Sequence, residues 1–76
     1  MKLTIKLYAN LRKYSKGEGT IVIELPEECQ VKDVLRHFMI PDKETKIIMV
    51  NGVQVQLDSE VHDGDRVAFF PPIAGG

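Results

Sequence analysis

Residues 47–57 read Ile47-Ile48-Met49-Val50-Asn51-Gly52-Val53-Gln54-Val55-Gln56-Leu57. Two apolar-rich runs separated by Asn-Gly predict a β-hairpin, because a two-residue type I′ turn needs positive φ at both central positions. The turn also sets the register. Val50 must face Val53 and Ile48 must face Val55, while Ile47 and Met49 fall on the opposite face beside Gln56 and Gln54.

Beyond the hairpin, Asp63-Gly64-Asp65 turns the chain into a last strand, Arg66–Phe70, in which Val67 and Phe69 alternate with Ala68 and Phe70. Pro71-Pro72 ends it. On the other side, Val31, Val34, Leu35 and Phe38 recur at helical spacing and predict a helix from about Gln30 to Met39, stopped by Pro41. Its start looks weak, since Gln30 or Cys29 stands where Ser, Thr, Asp or Asn would cap better. Nearer the N-terminus, Leu3, Ile5 and Leu7 alternate with Lys2, Thr4 and Lys6, and Ile21, Ile23 and Leu25 alternate with Thr20, Val22 and Glu24. Two strands follow, the second ended by Pro26. Between them Tyr8 to Tyr14 leaves room for a helical turn, and Lys16-Gly17-Glu18-Gly19 supplies a reversal. The order strand, strand, helix, strand, strand, strand predicts an α+β layer pair, one domain over residues 1–76.

Size and charge narrow the function. A chain of 76 residues, 43 % hydrophobic, can bury about 62 % of its surface around one small core, but rarely encloses a substrate pocket. A self-contained enzyme is not expected. Ten Lys+Arg against 11 Asp+Glu give net charge −1, so the basic stripe of a phosphate-backbone binder is missing and no nucleic-acid partner is expected. Charge is uneven: residues 39–76 carry three basic and six acidic groups. The single Cys29 cannot form an internal disulfide, which points to the cytoplasm. No run is long enough to span a bilayer, so no membrane partner is expected.

Motifs for nucleotide, dinucleotide or zinc chemistry are absent from the sequence, as is CxxC. Residues 58–63 resemble a calcium loop only faintly, because Asp63 stands where its glycine is required, and no metal site is expected. His37 and His62 lie in different elements, without the carboxylate and serine spacing of a triad, and read as structural. Cys29 at a helix start could have a lowered pKa, but Glu27 and Glu28 oppose that, and it reads as inert.

The end of the chain, Phe69-Phe70-Pro71-Pro72-Ile73-Ala74-Gly75-Gly76, is the informative segment. Pro71-Pro72 fixes φ at two positions and directs the tail away from the sheet. Gly75 and Gly76 lack Cβ, so this backbone can enter a channel too narrow for side chains. A terminal carboxylate becomes an acyl donor only after activation, which this chain has no nucleotide site to perform. The tail therefore reads as a substrate for partners.

The FFPPIAGG ending, the Asp63-Gly64-Asp65 turn and the Val50-Asn51-Gly52 hairpin resemble the MoaD/ThiS family of sulfur carriers, which includes the molybdopterin synthase small subunit, over essentially the whole chain. The resemblance implies the β-grasp fold of ubiquitin, a mixed sheet packed on one helix. It also implies that an adenylyltransferase of the MoeB/ThiF type uses ATP to adenylate Gly76. A persulfide sulfur donor then converts the adenylate to a thiocarboxylate, and the sulfur passes to an acceptor. Gly75, Ala74 and Ile73 would form the threading tail on a Pro71–Pro72 base, with no cofactor bound to the chain itself and the free carrier a monomer. The Pro-Pro tail is similar to the molybdopterin synthase small subunit, implying a MoaE-like large subunit as partner. The short Ile40–Lys46 segment is closer to the thiamin carrier, implying thiazole synthase. Ubiquitin shares the length and terminal Gly-Gly, so conjugation to lysines stands as the alternative.

Docking follows from the residues themselves. With Val67 and Phe69 facing the helix, Phe70, Ala68, Met49 and Ile47 face outward beside the tail, an apolar patch for a partner unless a loop or the Tyr8–Tyr14 segment covers it. Phe70→Glu is then expected to weaken docking with little effect on stability.

Overall fold

The computed structural model describes residues 1–72. Strand β1, Lys2–Leu7, leads through a 3-10 segment, Ala9–Ser15, to β2, Thr20–Glu24. Helix α1, Val31–Phe38, is followed by a short 3-10 turn, Asp42–Glu44, and then by β3, Ile47–Val50, β4, Val53–Val55, and β5, Arg66–Phe70. The five strands form one sheet in the order β2-β1-β5-β3-β4. β1 and β5 run parallel at its centre, and the other pairings are antiparallel. A mixed sheet packed on one helix is the β-grasp arrangement.

The hairpin has the register its turn demands, with Val50 opposite Val53, Met49 opposite Gln54 and Ile48 opposite Val55. Asn51 and Gly52 take φ of 51° and 83°, both positive as the tight turn requires. β4 is shorter than the expected Val53–Leu57, because the Gln56 carbonyl accepts from the Ser59 N–H and turns the chain out of the ladder.

One face of the sheet makes the core. Leu3, Ile5 and Leu7 of β1 and Val67 and Phe69 of β5 are buried with Val31, Val34 and Leu35 of α1. Removing Phe69 to Ala would leave a cavity in this layer at a cost of about 3–5 kcal/mol.

The start of α1 corrects the weak cap expected from Gln30 and Cys29. Asp33, three residues into the segment, reaches back to accept the Gln30 N–H at 2.8 Å, and the Val31 and Lys32 N–H groups donate to the Ser59 and Leu57 carbonyls. Three donors at the helix start are thereby satisfied, two of them by a distant loop. At the other end Met39 adopts a left-handed conformation, φ 61°, so the helix stops before Pro41.

Candidate functional site

The site forms where β5 ends. Val67 and Phe69 point into the core, so alternation turns Ala68 and Phe70 to the outer face of the sheet. β3 lies against β5 with Ile47 opposite Phe70 and Met49 opposite Ala68. The four residues expected to dock a partner are therefore two adjacent cross-strand pairs on one face. Ile47 is 38 % exposed, and Met49, Ala68 and Phe70 are half-buried.

The reason for Phe70's partial burial is Tyr8. Its ring stacks on Phe70 with centroids 4.5 Å apart and planes 7° from parallel, and its N–H donates to the Phe69 carbonyl at 3.3 Å. One face of Phe70 is thus covered by the segment that follows β1, and Ile47 is the most exposed of the four.

Pairing ends at the prolines. The Lys46 N–H donates to the Phe70 carbonyl at 2.7 Å, after which Pro71 and Pro72 have no N–H to offer. Between Tyr8, Ala9 and Asn10 on one wall and Ile47, Phe70, Pro71 and Pro72 on the other lies a largely apolar groove of about 540 Å³. A neighbouring groove of about 500 Å³ is lined by Lys46, Ile47, Pro71 and Pro72. The described chain thus ends on a lip of two prolines, Pro71 and Pro72, that line both apolar hollows. Ile73, Ala74, Gly75 and Gly76, named above as the threading tail and the reacting end, lie outside the described residues.

The two 3-10 segments beside this region are tied together. The Tyr14 hydroxyl donates to Glu44 Oε2 at 2.6 Å, and Lys13 Nζ lies 3.4 Å from Glu44 Oε1. The hydrogen bond from Tyr14 holds the Glu44 carboxyl below its ordinary value, helped by the Lys13 contact and charge. The same bond raises the Tyr14 hydroxyl, with desolvation and the Glu44 charge adding to it. Sequence reading did not find this pair, since Tyr14 and Glu44 belong to different 3-10 segments with no local pattern linking them.

The remaining candidates stay apart from the site. His37 is exposed and meets Phe38 edge-on at 5.1 Å. His62 has carboxylates nearer than the sequence suggested, Glu60 Oε1 at 3.8 Å and Asp65 Oδ2 at 3.9 Å, but its side chain is 74 % exposed, where water screens such contacts. The Cys29 thiol donates to the Pro26 carbonyl at 3.1 Å. Among the described residues no group of three His, Cys, Asp or Glu side chains could hold a metal ion, and no helix is long and apolar enough to cross a membrane.

Comparison with known proteins reaches the same region. The model of the ThiS family matches residues 5–76. Small archaeal modifier protein 3 of Haloferax volcanii is 32 % identical over 93 aligned positions, covering 100 % of both chains. The molybdopterin synthase sulfur carrier subunit of Haemophilus influenzae is 27 % identical over 67 residues, 76 % of this chain and 83 % of that one. Among solved structures, molybdopterin converting factor subunit 1 from Pyrococcus furiosus superposes with a TM-score of 0.77 at 31 % identity, covering 96 % of this chain and 99 % of the other.

Proposed function

From the premise that the chain belongs to the ThiS family, we propose that it is a sulfur carrier whose Gly76 is activated by a partner and delivers sulfur in molybdopterin biosynthesis. The observation that carries the reading is the reach of the family match through Gly76, including the Pro-Pro lip beside the outward pairs Ile47–Phe70 and Met49–Ala68. A Gly76 carboxylate oxygen attacks the α-phosphorus of ATP in an adenylyltransferase, and pyrophosphate leaves. A persulfide sulfur then attacks the acyl carbon and AMP leaves, after which a thiol reduces the acyl disulfide to the thiocarboxylate. The acceptor, bound by a synthase large subunit, takes the sulfur.

Thiazole synthase is the alternative acceptor enzyme, by the short Ile40–Lys46 connection. A protein-modifier role is the second reading, favoured by the 32 % identity to an archaeal modifier protein. Intact-mass analysis of protein isolated from its native cell separates these chemistries. Replacement of one terminal oxygen by sulfur supports the carrier. Gly76 found in isopeptide linkage to lysines, with no thiocarboxylate form, overturns it in favour of the modifier. The large protein that co-purifies, a pterin-binding synthase subunit or a thiazole synthase, identifies the pathway.

A further inference from the structure

Charge on the outer sheet face is arranged differently from charge on the rest of the chain. Lys2, Thr4 and Lys6 of β1 point outward because Leu3, Ile5 and Leu7 point in, and Arg66 of β5 shares that face with Ala68 and Phe70. Parallel pairing sets Lys6 beside Ala68 and Arg66 beside Thr4, so the two cations flank the apolar pairs diagonally. The acid on this face is Glu24, which lies across from Lys2. Lys6 and Arg66 are exposed, and neither enters an ion pair among the described residues. Between them is a depression of about 280 Å³ with Met49, Ala68 and Phe70 in its lining and no acidic residue.

We propose that this face docks an acidic protein surface: an Asp or Glu side chain of the partner enters the depression between Lys6 and Arg66 while apolar partner groups cover Met49, Ala68 and Phe70. The inference rests on the carrier reading and names the chemistry its activating partner must present. A guanidinium offers a planar fork that matches a carboxylate with two hydrogen bonds, and desolvation by the surrounding apolar contact strengthens the pairing. The chain as a whole carries net charge −1, and Asp58, Glu60, Asp63 and Asp65 lie in the connection that precedes β5. Of these carboxylates Asp65 adjoins the depression at its Asn51 end, where Asp65 Oδ1 accepts from Asn51 Nδ2, so an acid-rimmed partner is steered onto Lys6 and Arg66 and away from that end. Two cations on a net-acidic chain are too few to neutralise a run of phosphates, which favours a protein over a nucleic acid.

Stopped-flow association of the purified chain with its ATP-dependent adenylyltransferase tests the proposal, with pyrophosphate release followed in parallel and thermal midpoints confirming that each variant folds. The wild-type association rate should fall as salt rises. Lys6→Glu and Arg66→Glu should each lower the low-salt rate by about tenfold and flatten or reverse its salt dependence. Arg66→Lys should keep the salt dependence but lose part of the complex lifetime. If the wild type releases pyrophosphate and the folded charge-reversed variants associate at wild-type rates and salt slopes, the acidic-partner proposal is wrong while the carrier reading stands. A wild type that releases no pyrophosphate overturns the carrier reading and, with it, the assignment of this partner. Variant-sensitive binding to RNA in place of the adenylyltransferase also overturns the proposal.

Discussion

Tyr8 and Phe70 lie ring on ring, centroids 4.5 Å apart, although they come from opposite ends of the chain. The parallel pairing of β1 with β5 brings them there. Leu7 is registered with Phe69, so the next residue on each strand leaves the sheet on the same side. The stack joins the chain after β1 to the last residue of β5, immediately before the proline lip.

Loss of either ring should therefore affect stability. An aromatic pair contributes about 0.5–1.5 kcal/mol beyond the area it buries. In urea denaturation, a double-mutant cycle with Tyr8→Ala and Phe70→Ala should return a coupling energy in that range. Additive single effects would show that the stack contributes nothing. Phe70→Glu shares this cost, contrary to the small stability change expected from sequence, so its effect on docking has to be read at a temperature where the variant is folded.

A second prediction concerns the turn that launches β5. Asp65 Oδ1 accepts from Asn51 Nδ2 at 2.9 Å and Oδ2 accepts from the His62 N–H at 2.8 Å, while Asn51 Oδ1 accepts from the Arg66 N–H at 3.0 Å. The hairpin tip is thus tied to the start of the central strand. Asp65→Ala removes two of these bonds, which at about 1 kcal/mol each predicts a loss of about 2 kcal/mol in chemical denaturation. Asp65→Asn keeps one acceptor oxygen and should fall between that variant and wild type. An Asp65→Ala protein as stable as wild type would rule out an anchoring role.

Local signals explain what the sequence revealed. Asn51-Gly52 encodes its own turn, and the register of β3 on β4 follows without knowledge of any other part of the chain. Alternation in β1 and β5 likewise sorts Leu3, Ile5, Leu7, Val67 and Phe69 into the core, because a strand's faces have a period of two. The cap of α1 is not encoded at Gln30, because the carboxylate comes from Asp33 and two further acceptors from Leu57 and Ser59. Tyr8 on Phe70 and Tyr14 on Glu44 were hidden for the same reason: each is made by the tertiary fold. The apolar outward pairs were legible, with the Tyr8–Tyr14 segment as the alternative cover; the particular stack of Tyr8 on Phe70 was not.

The Tyr14–Glu44 contact predicts a pH dependence at both ends of the scale. Glu44 is held below the ordinary carboxylate value of 4.5, so its contribution is complete above that pH and is lost as pH falls through the lowered folded value. Tyr14 is raised above 10.0, so its contribution is complete below that pH and is lost as pH rises through the raised folded value. Tyr14→Phe removes the Tyr14 contribution and the largest part of the Glu44 one, leaving the part that Lys13 and Lys43 supply. Its thermal midpoint should lie below wild type by a constant margin in the intervening range, with the margin shrinking under acid and under alkali. Parallel curves across the whole range would exclude this contact as their source.

The final prediction addresses whether the diglycine is read by a constricted channel. Four residues, Ile73 to Gly76, follow the proline lip, and at 3.3–3.6 Å per residue they extend at most about 13–14 Å. An activating partner must bring its nucleotide site within that distance of the folded body, along a path that excludes water from the reacting carboxylate. Gly75→Val adds a β-branched side chain that restricts the backbone and widens the tail, while leaving the core and the Gly76 carboxylate unaltered. The core side chains Leu3, Ile5, Leu35 and Phe69 are all contributed by earlier residues, so the thermal midpoint should match wild type. ATP-dependent adenylation, followed by pyrophosphate release, should fall at least about tenfold, equivalent to about 1.4 kcal/mol of transition-state stabilisation. Gly75→Ala, which adds one methyl group, should fall less. Because tail width and backbone restriction rise together across this series while the core and the Gly76 carboxylate stay unaltered, a graded loss identifies reading of the tail backbone, and wild-type rates for Gly75→Val would require an open path to the nucleotide site.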